Sequence, residues 1–384
     1  MKQYRNVFAE LGIPQQEIDA RLREITEEFF FGEDKVYTDV GEDMGYIEDT
    51  GNHDARTEGM SYGMMICVQL DMKEQFDRLW KWAKTYMFMT EGWNEGYFAW
   101  SCRTDGTRNS DGPAPDGEEF FAMALFFASK RWGDGEGIFE YSREARELLR
   151  ACITKGRGGR EGRPLWNNEN KQILFGPGSD FTDPSYHLPH FYELFARYAF
   201  EEDREFFAEA AKASRRFLSA ACHPVTGMNP EYAEFDGSPM TRPMSWTKDR
   251  HDLFYSDAYR TAANIGLDWE WFGRDEGQRG AAGRLMYTLG VVNADDPFVT
   301  YTVSGERTGQ PALHPVGMLA ATAQGALTVA APLSPGSPDP ANALAAEWVL
   351  RFWREPMRKG GRRYYDNCLC FFAFLALSGN YRMY

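Results

Sequence analysis

Asp116-Gly117-Glu118-Glu119-Phe120 opens a run of helical periodicity with a carboxylate, and Asp183-Pro184-Ser185-Tyr186 and Asp257-Ala258-Tyr259 repeat the device. Each Asp is followed two to four places on by an aromatic residue. An aspartate at a helix start accepts hydrogen bonds from first-turn amides, so N-capping accounts for any one of them. Capping and function can coexist. In an α/α barrel the inner helices run parallel, gather their N-termini at one end and bring such carboxylates together. Apolar periodicity predicts helices over 15–31, 58–88, 117–131, 143–155, 185–200, 204–221, 257–272, 275–290, 314–329, 341–354 and 366–378. Strand-like alternation is brief, at 95–103 and 297–303. The chain therefore reads as all-α. Long connections at 105–116, 156–183 and 223–252 are of the kind that carry function. Ser334 to Pro340 resembles a linker, but the short remainder reads as closing helices, giving one domain over 1–384.

Composition narrows the partners. A formal net charge of -15 argues against nucleic acid or an anionic membrane surface, both of which need clustered Lys and Arg. No run approaches the ~20 apolar residues of a membrane span. The polar start, Met1 to Glu10, shows no signal-peptide pattern. The six cysteines are scattered and read as reduced, which fits a cytoplasmic location. Cys368 and Cys370 form a lone C-x-C, too little for zinc. His187 and His190, with Pro189 between them, read as hydrogen-bonded structural residues, and no metal or other cofactor is expected. Gly133 to Gly137 lacks the ligand spacing of a phosphate or calcium loop and reads as a helix-terminating turn. Eleven Trp and nineteen Tyr exceed what a core needs and suit sugar stacking.

Two segments carry candidate chemistry. Arg56-Thr57-Glu58-Gly59-Met60-Ser61-Tyr62-Gly63 and Tyr255-Ser256-Asp257-Ala258-Tyr259-Arg260 each set one carboxylate at a helix start among aromatics. Two carboxylates facing across an aromatic cleft are the minimum equipment for glycosidic hydrolysis. A first-turn glutamate favoured by the helix dipole is the plainer reading of Glu58.

The stretches RTEGMSYGMM, FAWSC, PAPDGEEFFAMALFFASKRWGDG, DPSYHLPHFYELFA, ACHPVTG, YSDAYRTAANIGLDWEWFG and PALHPVG, in that order, resemble family 8 of the glycoside hydrolases. Within it they most resemble the reducing-end xylose-releasing exo-oligoxylanases, over about residues 5 to 384. Pro115-Asp116-Gly117-Glu118-Glu119 departs from the Asp-Gly-Asp pattern of the cellulase branch. The resemblance implies an (α/α)6 barrel that hydrolyses xylo-oligosaccharides with inversion. It implies Glu58 as general acid, Asp257 as general base and Asp116 as an acidic sugar contact. Tyr186 matches a tyrosine holding the attacking water, Trp100 an aromatic cleft wall, and Arg56 an arginine beside the acid. An endo-xylanase is the alternative within the family; a sugar epimerase or a binding protein lies outside it.

Inversion requires a protonated acid and an ionised base ~6.5–9.5 Å apart. A helix N-terminus alone favours ionised Glu58. Crowding by Asp116 and desolvation by aromatics such as Tyr62 and Trp100 are expected to reverse that. Amide capping and Arg260 are expected to keep Asp257 ionised. Leu313-His314-Pro315 is the segment expected to close the cleft beyond the leaving group, with His314 bonding the terminal anomeric hydroxyl. Pro315 also suits a plain helix start.

Overall fold

The computed structural model describes residues 3–245, 247 and 249–384. Six of its helices are buried on most of their residues: Thr57–Leu70, Pro115–Trp132, Pro189–Tyr198, Arg260–Phe272, Pro315–Gln324 and Arg363–Leu377. Six others bury one face: Gln15–Phe30, Lys73–Trp82, Tyr141–Thr154, Arg204–Ala221, Glu276–Tyr287 and Pro340–Arg354. A helix apolar on most sides has to be enclosed, whereas one with a single apolar stripe can cover it. The two kinds alternate along the chain. Each inner helix packs on the next, and Arg363–Leu377 returns to Thr57–Leu70, closing the ring. This is an all-α (α/α)6 barrel.

The inner helices begin at one end. Pro115, Pro189 and Pro315 occupy first-turn positions, where a missing N–H costs nothing and the fixed φ favours the helix. Two glycines let those ends approach closely. A Cβ on Gly117 would lie 2.4 Å from Thr57, and one on Gly59 would lie 2.6 Å from the Tyr364 ring.

Short sheets fix the loops around that end. Asp54–Arg56 pairs antiparallel with Ser101–Arg103, Arg56 opposite Ser101, and Thr57 donates to the Trp100 carbonyl at 2.9 Å. Leu253–Phe254 pairs with Val299–Thr302, which pairs with Arg307–Pro311. That sheet carries Asp257 and the 313–315 segment to the same rim.

Several boundaries differ from those the periodicity predicts. The stretch 58–88 is an inner and an outer helix, divided at Asp71, which takes the left-handed conformation (φ 65°) that Asp tolerates better than most residues. The stretch 185–200 is a tight turn, Pro184–Tyr186, and then a helix starting at Pro189. The last helix starts at Arg363, three residues earlier than predicted. The strand-like region 95–103 contracts to Ser101–Arg103, and the hairpin of Tyr37–Val40 with Met44–Ile47 is too short to show as alternation. Gly133 ends its helix with φ 84°. Of the three helix-opening aspartates only Asp183 caps, accepting from Ser185 N at 2.7 Å. Asp116 lies within the first turn, and Asp257 sits in the Ser256–Tyr259 turn without an amide cap.

Candidate active site

Glu58 and Asp257 line one pocket of about 190 Å³, together with Asp49, Arg56, His314 and the Tyr364–Tyr365 pair. A larger groove of about 510 Å³ lies beside Lys171, Lys212 and Arg216, but it gathers none of the residues that the sequence singles out.

Arg260 joins the carboxylates. Its Nη1 donates to Glu58 Oε2 at 2.9 Å, Asp116 Oδ2 at 2.9 Å and the Tyr62 hydroxyl at 2.6 Å. Its Nη2 lies 3.4 Å from Asp257 Oδ2. The guanidinium also faces the rings of Tyr186 and Tyr365, at 5.6 and 5.8 Å. The cation bonded to Glu58 is thus Arg260, while Arg56 lines the same pocket. Arg56 pairs with Asp49 and Asp54 at 3.2 and 3.0 Å and lies 5.3 Å above Trp100. Trp100 is 38% exposed, so it forms a rim and does not desolvate Glu58. Asp116 has little exposed surface.

Two tyrosines from the start of the last helix complete the pair. Tyr364 donates to Glu58 Oε1 at 2.7 Å, and Tyr365 donates to Asp257 Oδ1 at 3.0 Å. Sequence reasoning missed both, because the periodicity predicts that helix only from 366. The signal was present: Tyr364-Tyr365-Asp366 places aromatics and a carboxylate at the head of an apolar run, as in the other inner helices.

Burial pushes the Glu58 carboxyl up to about 8; Arg260 opposes the shift, Asp116 and Asp257 add to it, and the Tyr364 hydrogen bond works against it. Burial also raises Asp116, against the pull of Arg260. Asp183 is buried with one oxygen bonded to Ser185 N, and burial followed by the nearby Asp257 charge raises it far above the carboxylate range.

His314 is the residue before the Pro315–Gln324 helix, so the helix-start reading is correct, and it also lines the pocket. Its Nδ1 meets Asp366 Oδ2 at 2.9 Å, and Asp366 is held in turn by Gly317 N at 2.7 Å and Arg358 Nη1 at 2.5 Å. His187 uses both ring nitrogens, toward Thr182 and Ser214 at 3.0 and 2.9 Å, and burial holds it down at about 3. All six cysteines are free and buried.

The profile of the glycosyl hydrolases family 8 matches residues 38–331. The chain belongs to that family. It is 54% identical over 384 residues to the reducing-end xylose-releasing exo-oligoxylanase of Paenibacillus barcinonensis, covering 99% of this chain and 97% of that one. It is 51% identical over 387 residues to the corresponding enzyme of Halalkalibacterium halodurans, covering 100% and 95%. The structure of the Paenibacillus enzyme complexed with xylose superposes with a TM-score of 0.93, at 52% identity and 100% and 98% coverage. The chain is accordingly a glycoside hydrolase of family 8. Tyr364 and Tyr365 lie beyond the stretch that the family profile matches.

Proposed function

We propose that this family 8 hydrolase cleaves β-1,4-xylo-oligosaccharides of three or more units by a single inverting displacement, releasing xylose from the reducing end. The observation that carries the reading is one pocket holding Glu58, Asp257 and His314, in a chain similar along its length to exo-oligoxylanases.

Glu58 gives its proton to the leaving oxygen. The Tyr364 hydroxyl can accept from the neutral acid and donate to the carboxylate that follows, so one contact serves both states. Asp257 takes the proton of the attacking water, which Tyr186 helps to hold. Arg260 and the Tyr365 hydroxyl suit the ionised form of Asp257. Both acids touch one guanidinium, compatible with the ~6.5–9.5 Å separation of an inverting pair. Asp116 contacts the sugar at the cleavage point, Trp100 walls the cleft, and Arg56 steadies that wall.

Leu313 and His314 line the pocket, and we read them as its end on the leaving-group side. With Nδ1 fixed on Asp366, Nε2 of His314 is the ring atom that engages the anomeric hydroxyl. We read residues 1–384 as one domain, since the main core runs from Val7 to Tyr381. No described helix is long and apolar enough to cross a membrane. Six free cysteines support work in a reducing compartment, on oligosaccharides short enough to be imported.

Two outcomes test this. Xylotriose is expected to give xylose and xylobiose, and proton NMR in the first minutes is expected to show the α-anomer at the new reducing end, because water attacks opposite the leaving group. An initial β-anomer means a retaining enzyme. Xylotriose reduced to its alditol lacks the closed terminal ring and is expected to be a poor substrate. Equal cleavage of native and reduced xylotriose removes reducing-end recognition and leaves endo-xylanase action.

A further inference from the structure

Glu119 lies three residues beyond Asp116 on the Pro115–Trp132 helix and has no exposed surface. Its Oε1 is in hydrogen-bond contact with the Tyr192 hydroxyl, and its Oε2 has no partner among the described residues. Tyr192, on the Pro189–Tyr198 helix, is likewise without exposed surface, and its hydroxyl lies 3.0 Å from the carbonyl oxygen of Tyr186. That carbonyl ends the Pro184–Tyr186 turn, and Pro189, where the next helical donor is due, has no N–H. The Tyr192 hydroxyl is therefore the donor that satisfies it.

A phenol carries one proton. With that proton directed at Tyr186, the Tyr192 oxygen presents lone pairs toward Glu119. An ionised Glu119 would set two acceptors against each other, and its second oxygen would be a buried charge without a partner. A neutral Glu119 resolves both: its O–H donates to Tyr192, and the orphaned oxygen is an uncharged carbonyl, which costs less to leave unpaired.

We propose that Glu119 is a permanently protonated positioning residue that acts through Tyr192 to hold the Tyr186 backbone beside the reacting carboxylates. The proposal rests on the reading of Tyr186 as a water-holding residue. The turn is pinned elsewhere by Asn264, which donates to Ser185 O at 2.9 Å, and by the Asp183 cap. Tyr186 N donates to Asp183 O at 3.0 Å within the turn, and the Tyr192 bond is the one on the Tyr186 carbonyl among the described residues. Burial, against the opposing Tyr192 hydrogen bond, pushes Glu119 far above the carboxylate range. Glu118 is similarly buried, but its Oε1 accepts from Phe98 N at 3.0 Å and it stays outside the relay.

Infrared difference spectra of wild type against Glu119→Gln test the protonation state. A protonated-carboxyl band that is present at and above neutral pH, and missing in the variant, is expected. A band of an ionised carboxylate in its place overturns the proposal. Kinetics on xylotriose test the positioning. Glu119→Leu and Tyr192→Phe each remove a donor and are expected to lower kcat about 10- to 100-fold with little change in KM, the scale of a sub-ångström misplacement. Glu119→Gln, which still donates to Tyr192, is expected to restore kcat to within about threefold on the same scale. Equal rates for the Leu and Gln variants overturn the positioning role. Should Glu119→Leu not fold, Tyr192→Phe and the infrared band decide. Tyr186→Phe separates the two readings: full activity there removes Tyr186 from the reaction, while the Glu119 band still reports the relay's protonation.

Discussion

Glu58→Gln is expected to lower xylotriose turnover by about 10²- to 10⁴-fold with an unchanged circular dichroism spectrum, because it removes the proton donor and keeps the shape. The new amide can still accept from Arg260 through its oxygen and donate to the Tyr364 hydroxyl through its nitrogen, so the barrel end has no reason to rearrange. Asp257→Asn is expected to cost a similar factor by removing the acceptor for the water's proton. Activity close to wild type in either variant removes that residue from the mechanism.

The same acid sets the pH profile. Glu58 works protonated, and burial holds it at about 8. The wild-type rate is therefore expected to stay flat through neutrality and fall as pH rises through about 8. The stability term has the same sign. A carboxyl whose folded value lies above its unfolded 4.5 contributes fully below that value and loses its contribution as pH rises through about 8. Glu58→Gln lacks this titration, so its melting temperature should fall less than that of wild type on the alkaline side. An alkaline limb set well below neutrality would contradict the placement of Glu58.

The fold was legible where helices differ in kind. Inner helices such as Cys368 to Leu377 are apolar on every side, and outer ones such as Arg204–Ala221 show one stripe, so periodicity found both. It could not divide 58–88, because the helical pattern runs through Asp71 and only the backbone reveals the left-handed residue there. The acids at the site were legible because each opens a helix among aromatics. Arg260 was legible beside Asp257, three residues on, but its reach to Glu58 and the bonds from Tyr364 and Tyr365 were not, because those contacts join distant parts of the chain. Arg56, two residues before Glu58, pairs with Asp49 and Asp54.

Arg260→Met is expected to be the most destabilising single change at this site. Arg260 is 4% exposed and touches Glu58, Asp116 and Asp257 at once. Removing it leaves three acids at a buried focus without that countercharge. Breaking a buried pair in this way costs about 3–5 kcal/mol at neutral pH. The sign with pH follows from the acids left behind. Without the cation the folded values of Glu58 and Asp116, already raised by burial, move further up, so the variant is spared in acid and loses stability as pH rises through the carboxyl range. Denaturant unfolding at neutral and at acid pH should show a large deficit that closes in acid. Turnover should also drop, by about 10²- to 10³-fold, since the oriented charge is lost. Arg260→Lys is the sharper control. A lysine keeps the charge but not the planar fork that spans Glu58 and Asp257 through different nitrogens, so stability should return largely while turnover stays low. Recovery of both in Arg260→Lys would mean that charge alone organises the pair.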